Sequence, residues 1–109
     1  MSKRVSKQVS FLRLLRSTEK NQQKALLKTA SEEQIKSLSE IILNLLAGYI
    51  PLSAKTKRTL SQHKDKLRGV ADRDATILTL RKRWNKFPID VLENIIKIAL
   101  TYLTNAGKL

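Results

Sequence analysis

Residues 31–53, SEEQIKSLSEIILNLLAGYIPLS, decide the fold. Ser31 reads as an N-cap, because its hydroxyl can accept from the free N–H groups of a first helical turn. Gln34 stands three residues on, where a capping box requires it. Glu32 and Glu33 put negative charge at the positive end of the helix dipole. Ile35, Leu38, Ile41, Ile42, Leu45 and Leu46 then fall in steps of three and four, the spacing of one helical face. Gly48 can take the left-handed conformation that closes a helix, and Pro51 prevents its resumption. Leu43 adds apolar surface outside that face. The stretch predicts a central core helix over 31–47, covered on more than one side.

Working outward, Val5, Val9, Leu12 and Leu15 make a stripe that predicts a helix over 2–17, widened by Phe11 and Leu14. Its first residues double as a candidate mobile basic arm. A short helix over 19–29 would face Ala25, Leu26 and Leu27 inward. Beyond the turn, Ser53 caps a helix over 54–68 whose only seam is Leu60 and Leu67, so most of it stays wet. Asp72 and Asp74 offer a cap for a helix over 75–86, with Ile77, Leu80 and Trp84 as its stripe. Phe87-Pro88 ends it. A last helix, 90–104, is apolar on most sides through Ile89, Leu92, Ile95, Ile96, Ala99, Leu100 and Leu103, with Val91, Ile98 and Tyr102 beside that face; Gly107 stops it. The expected architecture is a single all-α domain over 1–109, a compact bundle of five to six short helices around 31–47 and 89–104.

Composition narrows the chemistry. The 109 residues include no cysteine and one histidine, which excludes disulfides, thiolate sites and a self-sufficient zinc centre. No apolar run approaches the roughly 18–20 residues that span a bilayer. The start MSKRVSKQVSFLRLLRS is basic, but Arg13 and Arg16 interrupt its apolar part, which argues against a signal peptide; an Arg/Ser-rich amphipathic start also has the character of a mitochondrial presequence. Charge is the dominant signal, with 22 Lys and Arg against 9 Asp and Glu, a formal +13. Residues 1–30 hold eight bases and one acid, and residues 51–88 hold eleven bases and three acids, whereas 31–50 and 89–109 carry little net charge. A near-neutral core displaying basic surfaces suits a polyanion.

The candidate nucleic-acid contacts are therefore Lys55, Lys57, Arg58, Lys64, Lys66 and Arg68, with Arg81, Lys82, Arg83 and Lys86, and with Lys3, Arg4, Lys7, Arg13 and Arg16 at the N-terminus. Such bases displace condensed counterions and bind without reading sequence. Trp84, inside Arg81-Lys82-Arg83, could stack on an exposed base, but its spacing from Ile77 and Leu80 favours core. His63 has no nucleophile or second ligand at a recognisable spacing and reads as a surface residue. Glu40 and Asn44, one turn apart, are expected to bond to the Pro51 turn or to a neighbouring helix. No Gly-rich phosphate loop, paired-carboxylate motif or metal cluster is present, so neither an enzyme nor a cofactor is expected. The apolar surplus of 89–104 suits core burial or self-association.

The block ExxxNLLxGxIPLS, from Glu40 through Asn44, Leu45, Leu46, Gly48, Ile50, Pro51 and Leu52 to Ser53, is followed by KxxLxxHKxxLR on Lys57, Leu60, His63, Lys64, Leu67 and Arg68. With Lys24, Ala25, Leu27, Ala30 and Ile41, these residues make the chain resemble, over about 24–71, a family of small basic proteins of Maverick/Polinton elements and adintoviruses. The resemblance implies a DNA-associated virion or core component, similar in role to the basic condensing proteins of adenoviruses, in a virion or nucleus. The C-terminus departs from that family, carrying Trp84 and the 89–104 helix in place of a glycine-containing hydrophobic tail. The expected function is non-enzymatic, sequence-independent binding and condensation of nucleic acid, DNA rather than RNA, with a possible homo-oligomer through 89–104. The alternative is a helical interaction or oligomerisation module, such as a death-fold-like adaptor or inner capsid protein, whose basic face meets an acidic partner. Neither reading assigns a small-molecule substrate or a membrane.

Overall fold

In the computed structural model, which describes residues 2–107, α4 (Glu32–Leu46) begins as its sequence dictates. Ser31 Oγ accepts from the Gln34 amide at 3.1 Å, and Gln34 Oε1 accepts from the Ser31 amide at 2.8 Å, so the capping box is complete. Gly48 closes the helix at φ +79°. Ile35, Leu38, Ile41, Ile42 and Leu45 are buried, but Leu46 is 40 % exposed, contrary to its place on the expected apolar face. Asn44 also differs from expectation: its amide donates back one turn to the Glu40 carbonyl at 2.8 Å rather than to the Pro51 turn or another helix. Glu40 does meet a neighbouring segment, accepting from Ser2 Oγ.

The other elements are α1 (Lys3–Lys7), α2 (Val9–Ser17), α3 (Lys20–Thr29), α5 (Ala54–Ser61), α6 (Lys64–Val70), α7 (Ile77–Asn85) and α8 (Ile89–Asn105). The described residues are all-helical, about 75 % in helix, with no strand. Eight helices stand where five or six are expected, because two predicted helices break. The first breaks at Gln8, whose amide bonds back to the Val5 carbonyl at 2.9 Å. A straight helix would aim its whole stripe at one neighbour. The break lets Val5 bury as α1 packs on α4, while Leu12 and Leu15 bury as α2 packs on α8. Residues 3–17 are thus two docked helices.

The second break falls at Gln62–His63, where the His63 amide returns to the Leu60 carbonyl at 3.0 Å. It turns α6 onto α4 and α7, so that Leu67 and Val70 bury, while α5 buries Leu60 alone. Residue Gly69 lies within α6 rather than ending it. Helix α7 starts later than expected, capped by Thr76, whose hydroxyl accepts from the Thr79 amide at 3.2 Å. Asp72 instead closes the preceding turn, accepting from the Asp74 amide at 3.0 Å. In α3 the inward residues are Gln23 and Leu27; Leu26 is half-buried and Ala25 exposed. Gln23 donates to the Leu15 carbonyl at 2.6 Å, joining α3 to the end of α2.

Helix α8 buries Val91, Leu92, Ile95, Ile96, Ala99, Leu100 and Leu103 and ends at Gly107, with φ +69°. It touches α4, as two such apolar helices must in one core. Its principal neighbour, however, is α2, and that of α4 is α6. The globule has a radius of gyration of 12.8 Å and measures 31 × 28 × 28 Å.

Candidate nucleic-acid interface

Local sequence makes the most basic surface. Ser53 Oγ accepts from the Thr56 amide at 3.2 Å and so starts α5. Leu60, Leu67 and Val70 turn inward, and α5 and α6 offer nothing else large and apolar to bury. Their remaining circumference must therefore face water, and the sequence fills it with Lys55, Lys57, Arg58, Lys64, Lys66 and Arg68. All six are exposed, and none is ion-paired among the described residues. The only acid on α5 or α6 is Asp65.

Helix α7 divides its bases by geometry. With Leu80 and Trp84 buried one turn apart, Lys82 and Lys86 fall on the opposite side, and Arg81 and Arg83 flank the buried edge. Arg83 reaches α6: its Nη1 donates to the Gly69 carbonyl at 2.8 Å and to Asp72 Oδ2 at 3.2 Å. The Asp72 carboxyl is held below the usual carboxylate range by the Asp74 amide and then by Arg83. Arg81 is half-buried and adds to the lowering of the Glu32 carboxyl, whose main cause is the Lys36 ammonium 2.8 Å away. Since α6 packs against α7, the outward Lys82 and Lys86 stand at a helix that neighbours α6.

The N-terminal bases form separate groups. Lys3 and Lys7 are exposed on α1, where Arg4 is paired with Glu33 at 3.1 Å. Arg13 and Arg16 lie along the α2–α8 edge, beside Thr101 and Thr104. The fifteen candidate residues are thus brought together only in part. Lys55, Lys57, Arg58, Lys64, Lys66, Arg68, Lys82 and Lys86 share neighbouring helices. Arg4 and Arg83 are engaged within the fold, and Arg13 and Arg16 stand apart.

Three bases outside the predicted set belong in the description. Arg73 is exposed in the α6–α7 connection and lines a groove with Arg4 and Lys36. Lys24 and Lys28 are exposed one turn apart on α3, which packs against α7. Their i, i+4 spacing is a sequence signal, but the packing of their helix on α7 depends on tertiary structure. Lys20 is occupied, paired with Asp90 at 2.6 Å, a contact that raises its pKa above the ordinary lysine value.

Trp84 is fully buried, its Nε1–H donating to Ser39 Oγ at 3.0 Å and its ring tilted against Phe87 at a centroid distance of 4.9 Å. It is core and cannot stack on a base in this conformation. His63 is half-buried at the start of α6. Among the described residues, no group of three His, Cys, Asp or Glu could hold a metal ion, and no helix is long and apolar enough to cross a membrane. No family model, curated protein or solved structure matches the chain.

Proposed function

We propose that the protein binds and condenses nucleic acid without catalysis and without reading sequence, and that duplex DNA is its polyanion. The observation that carries this is the α5–α6 surface: six exposed bases with no ion-pair partner among the described residues, with the exposed Lys82 and Lys86 at the neighbouring α7. On ordinary surfaces such bases alternate with acids; here the charges are left for an external anion. Lysine and arginine side chains spaced along exposed helices meet phosphates at many registers, and release of counterions supplies affinity that is indifferent to bases. Burial of Trp84 agrees with backbone contact rather than base stacking. The resemblance to Maverick/Polinton and adintovirus proteins implies the role of a virion-core or nuclear DNA-packaging component, which would use the same phosphate-binding chemistry.

Binding to mixed-sequence duplexes over a range of salt tests the reading. Six to eight phosphate contacts give a log–log slope of about −5 to −7, at about −0.9 per contact. Reversing Lys57, Arg58, Lys64 and Arg68 to Glu should abolish most of the affinity. The same reversal at Lys97 should matter far less, since that residue shares its groove with Asp90 and Glu93. Lys108, which also falls outside both basic blocks, lies beyond the described residues. A folded four-fold variant with unchanged affinity and slope would overturn the proposal.

A further inference from the structure

The break between α5 and α6 leaves a groove against the end of α4. It has a volume of about 360 Å³, with Leu45, Leu60 and Leu67 in its lining. Leu46, which the helical period places on the apolar face, lines this groove and is 40 % exposed. Lys57 from α5 and Lys64 from α6 line it as well, both exposed. Leu45, Leu60 and Leu67 form its buried floor, and Leu46, the leucine left facing water, stands beside two ammonium groups that are unpaired among the described residues; together they define the chemistry of what would cover the groove.

The geometry points to a docking site for an acidic amphipathic helix of a partner protein, with apolar side chains against Leu46 and carboxylates against Lys57 and Lys64. Apolar anchors at i, i+3 or i+4 and i+7 are the usual way a helix fills such a groove. Charge selects among occupants. The chain carries a formal +13, and the groove lies in the segment with eleven bases against three acids, so a second copy would meet strong like-charge repulsion. Duplex DNA offers phosphates to the two lysines but no aliphatic group to Leu46. An acidic helix satisfies both features. This goes beyond the phosphate-binding reading and has a consequence for it. Lys57 and Lys64 serve both ligands, so helix and DNA bind with negative coupling, each weakening the other by the same factor.

The test begins with selection from a displayed library of random peptides of about 16 residues, long enough for four helical turns, against the full chain. Enriched peptides should carry apolar residues at helical spacing flanked by Asp or Glu. Leu46→Asn, at an exposed position, should weaken a selected peptide about tenfold and leave DNA affinity and salt slope unchanged. Lys57→Gln with Lys64→Gln should weaken the peptide and also flatten the DNA slope by about two units. Saturating peptide should reduce DNA affinity about tenfold, within the range typical of coupled sites. Several results would overturn the site: enrichment of acidic peptides without apolar spacing, no enrichment, or binding indifferent to Leu46→Asn. Leu46-dependent binding of dodecanoate with no peptide selected would assign the groove to an anionic amphiphile instead. Loss of DNA binding by the unmodified chain would overturn the phosphate reading alone, so the two failures are distinguishable.

Discussion

The indole N–H of Trp84 donates to the hydroxyl of Ser39 at 3.0 Å, tying α7 to α4 across the core. The indole is fully buried, so this donor has no water to fall back on. Ser39→Ala should cost about 1–3 kcal/mol, the penalty for stranding a buried polar group. Because Trp84 is the only tryptophan, its emission reports the same site. Denaturant unfolding followed by circular dichroism measures the loss. The emission maximum of the wild type should stay blue-shifted and unquenched when DNA is added.

The N-terminal helices should prove integral to the core. Leu12 is fully buried where α2 meets α8, the most extensively packed helix pair among the described residues. Leu12→Ala should destabilise by about 2–5 kcal/mol, as for other fully buried leucines. Leu45→Ala on α4 should fall at the lower end of that range, because Leu45 keeps 8 % exposure and borders an open groove. A Leu12 loss below about 1 kcal/mol would mean that residues 3–17 contribute little to the fold.

Much of this architecture was legible because its signals are local. The capping box of Ser31 and Gln34, the three–four spacing after it, and Gly48 before Pro51 each act within a turn or two. The breaks at Gln8 and Gln62–His63 were not legible. Neither site holds Gly or Pro; at the first, each half packs on a different helix, and at the second, α6 turns onto α4 and α7. Leu46 failed for a related reason: periodicity assigns a face, but only the tertiary structure shows that Leu46 itself is left 40 % exposed while its neighbour Leu45 is buried. In the candidate site, the α5–α6 bases could be read from charge and a thin apolar seam. The diversion of Arg4 to Glu33 and of Arg83 to Asp72 could not, because the paired carboxylates come from other segments.

Acid should loosen the α6–α7 junction in a defined direction. Asp72 has its folded-state pKa lowered, first by the Asp74 amide and then by Arg83. Its unfolded value is the ordinary one, about 3.9. A lowered folded value means that the stabilisation is fully present above the unfolded pKa and is lost as pH falls through the folded one. Asp72→Asn should therefore melt below the wild type at neutral pH. The gap should close as pH is lowered through the acid range below about 4. A gap constant across that range would mean that the carboxylate charge is irrelevant to the junction. High salt should shrink the gap as well, since the pair is exposed.

The bases of α7 should separate into two behaviours. Lys82 and Lys86 face away from the buried edge and are exposed, so truncating them touches nothing in the fold. Each change to Ala should leave the melting temperature unchanged and flatten the salt slope of DNA binding by about one unit. Arg83 is spent differently, on the Gly69 carbonyl and Asp72. Arg83→Ala should lower stability by about 1 kcal/mol, the size of a lost surface hydrogen bond and ion pair, while changing the slope less than either lysine does. The comparison controls for net charge, because all three substitutions remove one positive charge from α7 or its C-cap. Equal slope changes at the three positions would show that DNA responds to total charge alone. A smaller change at Arg83 would show that it responds to which bases the fold leaves unpaired.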